Sequence, residues 1–190
     1  MTSVEYDLAY LREGTSQLED YLLSKELYWS IGISAPPRET PFPRLTLGGI
    51  LLAQARIKAR SLKPEQKDEL NHLDELINEV RSQWREAWGR KSAHGYRARL
   101  NLWRNYLEEY RHDPWDNYSR YHYEVRLRVM LHLLALETDQ IPMAQSELLQ
   151  ALDQLLQAKF IPGEFIWEQE LSKGFPTDTY WYLYGRLQEE

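Results

Sequence analysis

Glu69 and His72 stand three residues apart, and Glu109 and His112 repeat the interval. On a helix this spacing puts a carboxylate and an imidazole on one face, and two such pairs suit a carboxylate-bridged two-metal centre if all four side chains point inward. A helical wheel decides the direction. At about 100° per residue, the apolar face of the first helix centres on Val80 and Trp84, and His72 lies about 110° away. Glu109 and His112 lie nearly opposite the stripe Tyr96, Leu100, Trp103 and Leu107. No metal site is therefore expected. The five histidines (72, 94, 112, 122, 132) share no repeated ligand spacing, and the chain has no cysteine to supply a thiolate. Gly-x-Ser-x-Gly is absent as well, so the common covalent-nucleophile arrangements are missing. No cofactor is expected.

A second constellation lies in DNYSRYHYEVRLR, residues 116–128. Tyr118, Tyr121, His122 and Val125 share one helical face, with Glu124 and Arg126 beside it. This makes an aromatic-walled patch with a titratable imidazole and an arginine at its rim. Tyr118, Tyr121, His122, Glu124 and Arg126 are thus the candidate set for a small anionic or aromatic ligand. Tyr121, His122 and Arg126 would be the residues used if the patch were hydrolytic. The competing account is a polar network that fixes helix register. Arg120, Glu124 and Arg128 are spaced for an ion-pair ladder, whereas Arg126 lies off that line. Arginine stays charged when buried, so Arg126 needs a glutamate from a neighbouring helix. Arg126-x5-His132 resembles the Arg-x(4–6)-His spacing of HEPN-type helical ribonucleases over seven residues. It lacks the polar residue beside the arginine, and six residues of straight helix separate the two side chains by about 120°.

A third group is basic. Residues 81–128 hold eleven Lys and Arg against six Asp and Glu, a local +5 in a chain of net charge −6, which leaves −11 for the rest. Arg81, Arg85, Arg90, Lys91, Arg97, Arg99 and Arg104 are the residues concerned. His94, Arg97, Asn101 and Arg104 form a polar stripe opposite the aromatic one, as a phosphate-contacting helix would. Arg90, Arg97 and Arg104 are the candidate nucleic-acid contacts. An ordinary amphipathic helix with arginines on its wet face has the same pattern, and no helix-turn-helix or zinc-finger signature accompanies it.

The elements that carry these residues read almost entirely at helical period, which predicts an all-α fold. The chain of 190 residues, 43% hydrophobic and 27% charged, fits one domain over 1–190 with a substantial core. Six or seven helices are expected. Gly14 ends the first and Ser16-x-x-Glu19 opens the second as a capping box. The four prolines of ISAPPRETPFPRL (33–45) make a stiff connector pinned by Phe42 and Leu45, or a segment read by a polyproline-binding partner. Thr46 caps the next helix, whose Gly48 and Gly49 signal close backbone approach. Pro64 starts a helix that reaches Gly89, and another spans 91–111. Asp113-Pro114 then opens one long helix over 114–138, buried in its second half and central to the bundle. Pro142 starts the last of the regular helices. Residues 160–190 form an aromatic strap, with either a short helix capped at Thr177 or Asp178 or an extended run through Tyr184. The longest apolar run, VMLHLLAL, is too short to cross a bilayer, and MTSVEYDLAYLREG lacks the apolar core of a signal peptide. A soluble cytoplasmic protein without a membrane partner is expected. Its functional reading is a non-catalytic protein–protein interaction module with a protein partner or a second copy of itself, with nucleic-acid binding and ligand chemistry as alternatives.

Overall fold

Two helices begin on the same device. The Ser3 hydroxyl accepts from the Tyr6 amide at the start of α1 (Val4–Ser16), and Thr46 Oγ1 accepts from the Gly49 amide at the start of α3 (Leu47–Ala59). Each side chain satisfies a first-turn N–H that the helix itself leaves open. The computed structural model describes residues 2–189. Between α1 and α3 lie α2 (Leu18–Leu23) and the proline-rich connector, anchored by paired backbone bonds between Trp29 and Leu45 of 3.0 and 2.8 Å. Phe42 packs against Tyr6 and Tyr10, as its role as a pin requires. There follow α4 (Pro64–Gln83), α5 (Arg85–His112), α6 (Pro114–Asn117), α7 (Tyr121–Glu124), α8 (Arg126–Ala135) and α9 (Met143–Lys159). The chain finishes with β1 (Phe160–Phe165), α10 (Thr177–Tyr180) and β2 (Tyr184–Leu187). The fold is all-α with one small antiparallel sheet.

The centre is α8 against α5 and α3. Leu127, Val129, Met130, Leu131 and Leu134 of α8 are buried, as is the α5 stripe Tyr96, Leu100, Trp103 and Leu107. Leu134 fits where two glycines leave room. A Cβ on Gly48 would stand 3.2 Å from Leu134, and one on Gly95 would stand 3.4 Å from it. Gly48 is thus a packing notch, as the close-approach reading requires.

Three expected boundaries move. Helix α1 runs through Gly14 to Ser16, so Ser16 caps nothing, and the break falls at Gln17. Gly14 stays helical because its missing Cβ admits Leu45, whose methyl would lie 2.7 Å from that atom. Likewise the break before α5 falls at Trp84, and Gly89 lies inside the helix where Gln140 crosses it. The single helix expected over 114–138 is a chain of shorter pieces: α6, a 3₁₀ turn at Tyr118–Arg120, α7 and α8. The backbone stays in the right-handed helical region throughout, but side chains take carbonyls that an α-helix would use. Asn117 Nδ2 donates to Asp113 O at 2.9 Å, and Arg126 Nη1 to Tyr123 O at 3.0 Å. Such local bonds compete with the regular ladder and tighten or break it.

The strap combines both expected forms. α10 and a 3₁₀ turn (Trp181–Leu183) precede the strand β2, which pairs with β1. Phe160 faces Leu187, Ile161 faces Arg186 and Pro162 faces Gly185, after which the register slips to Phe165–Tyr184. The aromatics here are core: Phe175 and Tyr182 are fully buried.

Candidate functional site

Tyr121 is buried, and its hydroxyl donates to the Tyr182 carbonyl at 2.6 Å. Burial pushes its pKa well above 10.0. It is a strut between α7 and the strap. His122, one residue on, is exposed, with Nδ1 3.1 Å from Ser119 O. Arg126 stacks on the exposed Tyr123 ring, 3.5 Å from guanidinium carbon to centroid, and meets Glu124 at 3.3 Å. Its carboxylate partner is therefore local, not from another helix as expected; at 29% exposure the guanidinium keeps enough water to need no more. Tyr118 is half-buried and packs at a tilt near Trp115, with ring centroids 6.1 Å apart. Glu124 also meets Arg120 at 3.3 Å, as the ladder requires. Tyr121, His122 and Arg126 point to three different surroundings, and none of them lines either cleft described below.

Arg128 leaves the expected ladder. Its Nε and Nη2 donate to the two Asp153 oxygens of α9, both at 2.8 Å, and its guanidinium lies 4.7 Å over the Tyr182 ring. One arginine thus joins α8, α9 and the strap in the fork geometry that suits a carboxylate. Its charge is felt by His132, one turn on and edge-on to Tyr180 at 5.1 Å. Burial first, and Arg128 second, lower the His132 pKa below 6.5. The unfolded chain therefore takes up this proton more readily than the folded one. Stability from this group is complete above about pH 6.5 and falls as pH drops from there through the folded-state value. Urea unfolding at about pH 7.5 and pH 5 should show a loss that His132→Gln reduces; an unchanged loss in the variant would exclude His132 as its source. Arg126 and His132 have different neighbours, so the ribonuclease-like spacing does not assemble a pair.

The basic face of α5 is where predicted residues do converge. Arg90, His94 and Arg97 line one wall of a cleft of about 210 Å³, and Gln140, Pro142 and Gln145 line the other. No carboxylate lines it. The closest to its arginines is Glu86, 3.9 Å from Arg90. The Gln145 side-chain oxygen is buried without a donor. Arg104 lies on the same helical face, two turns beyond Arg97, and approaches Glu108 at 3.9 Å. Arg85 is exposed, and the other three basic candidates are diverted. Arg81 pairs with Glu137 at 3.0 Å, Lys91 donates to the Ser24 and Glu26 carbonyls at 3.0 and 2.8 Å, and Arg99 is buried. Known proteins offer no guide. Neither the family models, nor the curated proteins, nor the solved structures contain a match to this chain.

Two exposed apolar side chains flank, in sequence, the turn that reaches the cleft. Leu136 ends α8 at 68% exposure and Met143 opens α9 at 75%, the two most exposed large apolar side chains among the described residues. The turn between them supplies Gln140 and Pro142 to the cleft. A second cleft, of about 470 Å³, is lined by Phe160, Trp181 and Tyr184 with Pro162, Gln157 and Thr177. The described residues contain no group of three metal-type ligands, and no helix long and apolar enough to cross a membrane.

Sequence reasoning missed the largest ionic cluster. Asp7 is wholly buried and accepts from Arg56 and Arg60, the latter at 2.8 Å. Arg60, 1% exposed, also donates to Glu170 at 2.7 Å and to the Thr2 carbonyl at 2.6 Å. The signal was present: Asp7 falls on the same side of its helix as Val4, Leu8 and Leu11, where an acid requires a buried partner.

Proposed function

We propose that this chain is a non-catalytic cytoplasmic protein-interaction module whose contact face is the α8–α9 corner together with the α5 basic cleft. The observation that carries the reading is the exposure of Leu136 and Met143 beside a cleft lined by Arg90, His94 and Arg97 and by no carboxylate. An apolar patch rimmed by charge is how interaction surfaces are built. The complementary partner presents an apolar side chain flanked by Asp or Glu. A second copy of the chain meets the charge requirement, since the sequence outside 81–128 carries −11.

The test places a photo-crosslinking residue at position 136, with position 159 as control, in the expressing cell. A discrete protein adduct at 136 and not at 159 is expected, followed by titration with that protein once purified. Burying a Met side chain is worth about 1.5–3 kcal/mol, so Met143→Asp should weaken binding by at least about tenfold. No adduct above control would overturn the reading.

The second reading is nucleic-acid binding, favoured by one observation: Arg90, His94 and Arg97 share a wall, and Arg104 extends their line to about 21 Å along α5. Its signature differs. Oligonucleotide binding would weaken steeply with salt and be lost in Arg97→Glu while surviving Met143→Asp.

A further inference from the structure

Arg99 is 5% exposed, yet two of its three guanidinium nitrogens, Nε and Nη1, are buried with no hydrogen-bond partner. The third, Nη2, donates to Thr46 Oγ1 at 2.8 Å, the hydroxyl that caps α3. Among the described residues no carboxylate lies within ion-pair distance of it. Its surroundings are unfavourable to a cation in two further ways. The positive pole of α3, thirteen residues long with no acidic residue in its first turn, faces it. The charged side chain whose field reaches it is Arg126, of like sign. The compensation present is one aromatic face, Tyr28, 5.5 Å from the guanidinium carbon. That is a fraction of what a buried guanidinium forfeits on leaving water. Every other buried arginine in the molecule has its acid: Arg60 has Asp7, and Arg128 has Asp153.

We propose that Arg99 anchors a binding site for a single oxyanion group, a carboxylate or a phosphate, held against the N-terminus of α3 and covered by Tyr28. Arginine and a helix N-terminus each favour such a group, by charge and by directed N–H donors. Hydroxyl groups complete the wall. Tyr21 Oη accepts from the Leu47 amide at 3.3 Å, and Tyr10 Oη donates to the Arg44 carbonyl at 3.3 Å. Both tyrosines feel the Arg99 charge. A singly charged group neutralises Arg99, and the helix pole with Arg126 accommodates the second charge of a phosphate. Entry requires Tyr28 to move. Tyr28 is 40% exposed and belongs to the connector between α2 and α3, outside any helix or strand, so it is the side chain over Arg99 that can swing aside.

The test uses the full chain at about pH 7.5 with sodium phosphate in one arm, sodium acetate in a second, and sodium chloride of matched ionic strength in the third. At about one hundred times its Kd, the matching anion should raise Tm by roughly 5–10 °C in a saturable, one-to-one manner. Whichever of phosphate or acetate acts identifies the source. Arg99→Met should remove that shift while unfolding in chloride at a temperature no lower than wild type, because it removes an unpaired buried charge. Arg99→Lys, which keeps the charge and loses the planar fork, should bind at least about tenfold more weakly. If neither anion shifts wild type beyond chloride, or if the shift persists in Arg99→Met, the site does not exist. Arg99 would then serve only as a strut to the Thr46 cap.

Discussion

Asp7→Ala should destabilise the protein by about 3–5 kcal/mol, because it removes the one buried acid that two arginines share and leaves Arg56 with none. Arg60 is 1% exposed and would keep only the surface acid Glu170, and Arg56 is 20% exposed. For a chain of this size the loss corresponds to a Tm decrease of roughly 6–20 °C. The pair is not worth that much when intact, since two ions are expensive to desolvate and their mutual attraction largely offsets that cost. Combining Asp7→Leu with Arg56→Met and Arg60→Met should therefore recover at least half of the loss. Urea unfolding of the single and triple variants checks both statements. A single-variant effect below about 1 kcal/mol would mean that the arginines find water, and that the cluster is not sealed.

Gly185→Ala should cost about 3–5 kcal/mol through backbone strain and overpacking together. Gly185 has φ of 150°, a conformation that side chains on L-residues rarely adopt, and a Cβ there would collide with the Ile161 carbonyl and stand 2.7 Å from the Phe160 ring. Gly163 supplies the control. A Cβ on it would make an ordinary 3.6 Å contact with Gly185 Cα, so Gly163→Ala should change stability by less than about 1 kcal/mol. Unfolding followed by tryptophan fluorescence separates the two, since Trp181 packs on Phe160 at 5.5 Å. Equal effects for the two glycines would show that the strand crossing relaxes and that the positive φ is not enforced.

Local signals in the sequence were read well where the physics is local. Thr46, Pro64 and Asp113-Pro114 open helices as their capping chemistry requires. The aromatic stripe of α5 is buried where its spacing puts it. Gly14 and Gly89 were misread because a glycine that ends a helix and one that admits a neighbour look alike along one chain. Only the arriving residue, Leu45 or Gln140, distinguishes them, and it comes from 31 or 51 positions away. The candidate site shows the same limit. That Arg90 and Arg97 share a face follows from helical geometry. The opposite wall, Gln140, Pro142 and Gln145, is set by the α8–α9 turn and leaves no mark near the arginines. The aromatic face of Tyr118, Tyr121 and His122 was legible too, but not that Tyr182 would dry one part of it and leave His122 wet. The rule that a buried arginine needs a counter-charge was sound. Applied to Arg126 it failed because Arg126 is not buried, and at Arg99 it becomes the reason to look for an anion.

The strap does more than cover the bundle: it sets the order in which the protein can be finished. Tyr110 donates to the Gln188 carbonyl at 2.9 Å, Tyr121 to that of Tyr182, and Arg60 to Glu170. Helices made early thus hold hydroxyls and a guanidinium whose acceptors are synthesised late. At about 5–20 residues per second, a ribosome takes a few seconds to add residues 160–188. During that interval Tyr110 of α5, Tyr121 of α7 and Arg60 at the end of α3 stand without these acceptors, which exposes the nascent chain to mispairing with other chains and to chaperones. A truncation before β1 would hold the molecule permanently in that state.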